Sequence, residues 1–99
     1  MMDPSPDLTG RLNNLAKRAQ DSQVESEKSV LGEAALMATM NEYPQIVECT
    51  RALFGPKAGL WFVSPEARLG VSPAEQIAAR NWIQLQNRLV FARAIPSGP

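Results

Sequence analysis

The apolar positions near the start of the chain recur at helical spacing. They follow one another at intervals of four, three and four residues: Leu8, Leu12, Leu15 and Ala19. Such spacing places them on one stripe of a helix. Ser5 is a candidate N-cap, and the proline after it suits the first helical position. The pattern predicts a helix that fades into a polar run, either an exposed helix end or a linker.

Two more helices are predicted before the middle of the chain. The second covers residues 29–40 and carries apolar and small residues on one side: Val30, Leu31, Ala34, Ala35 and Ala38. The third begins at Pro44, since proline is tolerated in a first turn, and ends at Gly55. Its apolar face has five members: Ile46, Val47, Thr50, Leu53 and Phe54.

The remaining chain reads as short, capped helical pieces. Residues 57–62 are a short apolar helix or turn that contains Trp61. Ser64 and Pro65 are predicted to start one further turn, which Leu69 and Gly70 close. Ser72 and Glu75, three residues apart around Pro73, have the spacing of a capping box. The last helix is predicted from there to about residue 94, with a break near residues 80–81.

No segment alternates with period two over the length of a strand, so the sequence predicts an all-α protein without a sheet. We expect a small bundle of about five to six helices. A chain of 99 residues makes one compact unit with a modest core, to which a partner could add stability. Functionally, we divide it into an amino-terminal helical region, residues 1–50, and a carboxyl-terminal region, residues 51–99.

The net charge is zero but unevenly distributed. Residues 1–50 hold four basic and eight acidic side chains, whereas residues 51–99 hold six basic and two acidic ones. This asymmetry indicates that the carboxyl-terminal region meets something acidic, or that the two halves attract each other.

The residues that most catalytic and metal sites need are scarce. The chain has no histidine and a single cysteine, Cys49, which follows Glu48 on a predicted helix. A neighbouring carboxylate opposes thiolate formation, so Cys49 is interpreted as structural. Ser64 and Ser72 precede prolines, and helix capping accounts for both. We therefore expect no enzyme, no catalytic residue, no metal site and no cofactor.

The cysteine content and the amino-terminal sequence also indicate the cellular compartment. The lone cysteine cannot form an internal disulfide, which favours a reducing compartment. The amino terminus has neither a basic start nor an apolar run, and no stretch reaches the length of a membrane span. The expectation is a cytoplasmic protein without membrane contact.

Residues 51–92 resemble the toxin-binding domain of Xre/MbcA/ParS-type antitoxins. The resemblance is carried by an ordered set of elements: Leu53-Phe54-Gly55, Trp61, Ser64-Pro65, Leu69-Gly70, Ser72-Pro73-Ala74-Glu75 and Ile77. It implies an antitoxin whose partner is a RES-domain toxin that acts on NAD. The antitoxin would neutralise this toxin by binding it and obstructing its active site. Candidate contact residues lie near the carboxyl terminus: Arg88, Arg93 and Ile95.

The amino-terminal region departs from this family. Members usually carry a helix-turn-helix there, but residues 1–50 show no clear one and are acidic, which disfavours phosphate contact. DNA binding is therefore doubtful. These helices are expected instead to mediate the formation of a homo-oligomer. Two alternatives stay open: a DNA-binding repressor with a degenerate helix-turn-helix, and a helical adaptor or decoy.

Overall fold

The computed structural model describes residues 3–66 and 70–80, and every regular element in that part of the chain is helical. The α-helices are α1 (Pro6–Asp21), α2 (Glu25–Met40), α3 (Pro44–Phe54), α4 (Ala58–Val63) and α5 (Pro73–Ala78). A 3-10 turn, Gly55–Lys57, joins α3 to α4. The all-α prediction is confirmed for the described residues.

Helices α1 and α2 form an antiparallel hairpin. Only three residues, 22–24, connect them, so the polar run divides into a helix end, a short link and the start of α2. The far end of the hairpin is closed at Ser5, whose hydroxyl accepts from the amide of Leu8 at 3.1 Å and caps α1. The Ser5 amide and hydroxyl also donate to Glu42, just beyond α2, at 2.9 and 2.6 Å.

The core is built from one face of every helix. Its largest fully buried side chains include Leu12, Leu36, Val47, Phe62 and Ile77. Helix α4 packs mainly against α2, and α5 packs mainly against α1. Helices from both sides of the predicted division at residue 50 therefore share one core, and α3 itself crosses that point.

The crossing of α2 and α4 depends on two glycines. A Cβ atom on Gly32 would overlap the carbonyl group of Gly59. A Cβ atom on Gly59 would lie 2.8 Å from the backbone nitrogen of Glu33. The two backbones thus approach more closely than any side chain at these positions would allow.

The prediction for the apolar side of α2 was partly wrong. Leu31 and Ala35 are buried, but Val30 and Ala34 are exposed, and Gly32, Leu36 and Thr39 lie inside instead. From Val30 to Met40 the helix is apolar on nearly every side, so periodicity alone could not orient it. The position of α4 decides which side is covered.

Helix α5 is the first part of the predicted last helix. Its final residue is Ala78, and Arg80 adopts a positive φ of 62°. The left-handed conformation stops the helix, as the predicted break near residues 80–81 requires. The continuation to residue 94 lies outside the described residues.

Candidate functional site

The candidate site is the region between α4 and α5, and Trp61 lies at its α4 end. Its ring stacks on Phe54 of α3, with ring centroids 4.2 Å apart and planes inclined by 18°. Its indole Nε1 donates a hydrogen bond to the Glu66 carboxylate at 3.0 Å. Trp61 therefore ties α3, α4 and the segment after α4 into one unit, while its ring stays only half-buried.

The segment after α4 is a tight loop. Ser64 ends α4, and its hydroxyl donates back to the carbonyl of Leu60. The amide of Glu66 donates to the Val71 carbonyl at 3.2 Å, and the amide of Gly70 donates to the Glu66 carbonyl at 2.9 Å. Gly70 has a φ of 82°, a conformation that glycine adopts without the strain of a Cβ atom.

The four residues predicted to form a capped turn in this loop have different outcomes. Gly70 has the left-handed conformation that was predicted for it, but the helical turn it was to close includes residues 67–69, which lie outside the described residues. Pro65 is exposed directly after α4. Ser64 does not start a helical turn at Pro65 as predicted: it is the C-cap of α4, its hydroxyl is used on the Leu60 carbonyl, and Pro65 and Glu66 are not helical. Leu69 lies outside the described residues.

The capping box at the start of α5 is confirmed. The Ser72 hydroxyl accepts from the amide of Glu75, and the Ser72 amide donates to the Glu75 carboxylate, both at 3.3 Å. The hydroxyl also donates to that carboxylate at 2.7 Å. Pro73 occupies the first helical position. Because Ser72 is fully buried in this arrangement, the serine–carboxylate pair serves to begin a helix.

Glu75 also reaches across the fold. The side-chain nitrogen of Gln20, at the end of α1, donates to its carboxylate at 2.7 Å and to the carbonyl of Val63 at 3.3 Å. Burial raises the pKa of Glu75, but hydrogen bonds from Ser72 and Gln20 outweigh it, so the pKa lies below the usual 4.5. The start of α5 is thereby fixed to α1 and α4 at once.

Arg80, the last residue that the structure describes, lies beside the start of α1. The guanidinium of Arg80 lies 3.5 Å from the carboxylate of Asp3, beside the start of α1. Both side chains are more than half exposed, so this ion pair contributes little stability. The predicted contact residues Arg88, Arg93 and Ile95 come after this point and lie outside the described residues.

Sequence reasoning did not identify Gln20 and Glu66 as part of the site. Glu66 follows Trp61 by five residues, but nothing in that spacing indicates a bond without the loop geometry. Gln20 is 55 residues from Glu75 and has no local pattern around it. Such long-range polar partners become visible only when helices are packed.

The polar groups of the site are used to hold the fold together. Its polar side chains all take part in hydrogen bonds within the fold: Ser64, Glu66, Ser72, Glu75 and Gln20. Among residues 3–66 and 70–80, no group of three histidine, cysteine or acidic side chains is placed to hold a metal ion. Nor does that part of the chain contain a helix both long and apolar enough to cross a membrane.

No family model matches the chain, and neither the curated proteins nor the solved structures contain a significant match.

Proposed function

We propose that this protein is a cytoplasmic antitoxin that neutralises a RES-type, NAD-targeting toxin by binding it and obstructing its active site. The observation that carries the proposal is the fixed corner between α4 and α5, in which Trp61, Glu66 and Glu75 are each held by contacts to other elements. A corner ordered in advance loses less conformational entropy when a partner binds.

The polar groups of this corner favour binding over catalysis. Each is engaged in a structural hydrogen bond, and the hydroxyl of the buried Ser72 is bound to the half-buried Glu75 in a capping box. The corner then directs the chain past Arg80 toward a segment with two arginines and no acidic residue. Arg88 and Arg93 would pair with acidic groups at a nucleotide site, since guanidinium groups bind carboxylates and phosphates in a bidentate manner.

Co-expression with a RES-domain toxin encoded beside this chain tests the proposal. The toxin alone should deplete cellular NAD and stop growth, and the intact chain should restore both. The double variant Arg88→Ala and Arg93→Ala should lose most of this protection while keeping the helical circular dichroism of the parent. The matched control, Arg18→Ala on α1, should protect fully. A toxin that remains active beside the folded parent chain contradicts the proposal.

A second candidate, a DNA-binding repressor, is favoured by one observation. Helices α2 and α3 are joined by three residues, 41–43, a length typical of helix-turn-helix units. The charge argues against it, because the only basic residue of α3, Arg51, pairs with Glu33 at 3.0 Å. An electrophoretic shift with the DNA upstream of the gene, lost as salt is raised, would favour this candidate instead.

A further inference from the structure

Helix α5 stops in a conformation that its own residue disfavours. Arg80 has a φ of 62°, and no other non-glycine residue in the described part of the chain has a positive φ. A Cβ atom crowds the backbone in this left-handed region, so glycine or asparagine usually occupies the position after a helix. Here arginine, a good helix former, takes that position, although Asn81 follows it directly.

The conformation of Arg80 is held only weakly. Its amide donates to the carbonyl of Ile77 at 3.0 Å, whereas a continuing α-helix would use the carbonyl of Gln76. Its guanidinium lies 3.5 Å from the carboxylate of Asp3, and both side chains are more than half exposed. Water and salt weaken such an ion pair, so it offsets little of the strain.

The apolar side of α5 continues in the sequence past this stop. Ala74 and Ala78 are buried, and the spacing carries on at intervals of four, three and four to Trp82, Leu85 and Leu89. At the pitch of an α-helix these five positions fall within about 80° of one another, on a single stripe. Neither glycine nor proline occurs from residue 74 to residue 94. The pattern is therefore that of a helix that can run unbroken through Arg80.

We infer that Arg80 is a reversible helix break with two states. In the state that the structure describes, Arg80 is left-handed and paired with Asp3, and α5 ends at Ala78. In the other state Arg80 adopts helical dihedrals, releases Asp3, and lets α5 continue into the sequence that follows it.

The balance between the two states rests on one residue's backbone and one exposed ion pair. Small changes at residue 80 or residue 3 should therefore shift it. The break belongs to the free chain, so it holds or fails independently of toxin neutralisation.

Nuclear magnetic resonance of the full chain measures the two states directly. The signal is the Overhauser contact between the α-proton of Ala79 and the amide proton of Trp82, because protons three residues apart approach across residue 80 only when the helix is continuous. Arg80→Gly should weaken this contact and Arg80→Ala should strengthen it. Each should change the ratio of the two states by about fivefold or more, since only glycine adopts the left-handed conformation without strain.

Arg18, an exposed residue of α1, provides the matched control. Arg18→Gly and Arg18→Ala make the same substitutions inside a helix and should leave the contact across residue 80 unchanged. All four variants should keep the tertiary fold, because both positions are exposed.

The role of Asp3 is tested by removing its charge. Asp3→Asn should strengthen the contact across residue 80, because Arg80 loses the group that favours the broken state. Asp7→Asn, at an exposed position in the first turn of α1, should not. Added salt should strengthen the contact in the parent chain and have no effect on Asp3→Asn.

Three results would overturn the proposal. One is a contact that is absent in every protein, Arg80→Ala included, since the stop would then be fixed. The second is a contact at full strength in every protein, Arg80→Gly included, since no break would then exist. The third is an equal effect of Asp3→Asn and Asp7→Asn, since the pairing with Asp3 would then not set the balance.

Discussion

Single residues in this protein act mainly by completing the ends of helices. Ser72 and Glu75 were identified from sequence because a capping box involves groups only three residues apart. The same pair gains a partner, Gln20, that no local pattern indicates. One carboxylate therefore begins α5 and fixes its position against α1.

Replacing Ser72 by alanine should lower the free energy of unfolding by about 1–2 kcal/mol, because the amide of Glu75 loses its acceptor in a buried place. Chemical denaturation of the variant and the parent measures the difference. Ser26→Ala is the matched control, at an exposed position of α2. An equal, small effect of the two substitutions would show that the capping box contributes nothing measurable.

At the scale of elements, two glycines in helices differ in the space around them. Gly10 lies in α1 with open space around its missing side chain, whereas Gly32 lies against the backbone of α4. The sequence alone does not separate these two positions, since both are single glycines in helical patterns. The difference arises from the crossing of α2 and α4.

Gly10→Ala should raise the free energy of unfolding by about 0.5–1 kcal/mol, because alanine restricts the unfolded chain and favours the helix. Gly32→Ala should lower it by about 1–3 kcal/mol or more, since its Cβ would overlap the Gly59 carbonyl and separate the helices. Thermal unfolding of the two variants measures both shifts. Shifts of the same sign would contradict the close approach of α2 and α4.

For the whole molecule, two carboxylates join distant parts of the chain. Glu42 connects the end of α2 to the start of α1 through Ser5, and these hydrogen bonds lower its pKa below the usual 4.5. Glu75 connects α5 to α1, and its pKa is lowered as well. The hydrogen bonds of Glu42 and Glu75 thus join residues 37 and 55 positions apart in the chain.

Stability should therefore decrease on acidification. A carboxylate with a lowered pKa in the folded state stabilises the protein fully above the unfolded pKa and loses this effect as the pH falls through the folded value. The loss should begin near pH 4.5 and continue below it. Urea unfolding between pH 7 and pH 3 measures it.

The slope of that decrease should depend on which carboxylate is present. Glu75→Gln should flatten it, because the variant can no longer take up a proton there. The exposed Glu48→Gln on α3 should leave it unchanged. Identical slopes in all three proteins would show that Glu75 is not a source of the acid sensitivity.

The sequence by itself determined the features that depend on neighbouring residues. Among them are the helical class, the Ser5 and Ser72 caps, and the helix stop at Gly55, because caps and turns are made by groups a few positions apart.

Only the tertiary structure decided which side of α2 is covered, since that helix is apolar around most of its surface and any face could have been the inner one. It also decided that Gln20 meets Glu75 and that Val30 and Met37 stay outside. Contacts of this kind depend on where other helices lie, and no local pattern encodes that.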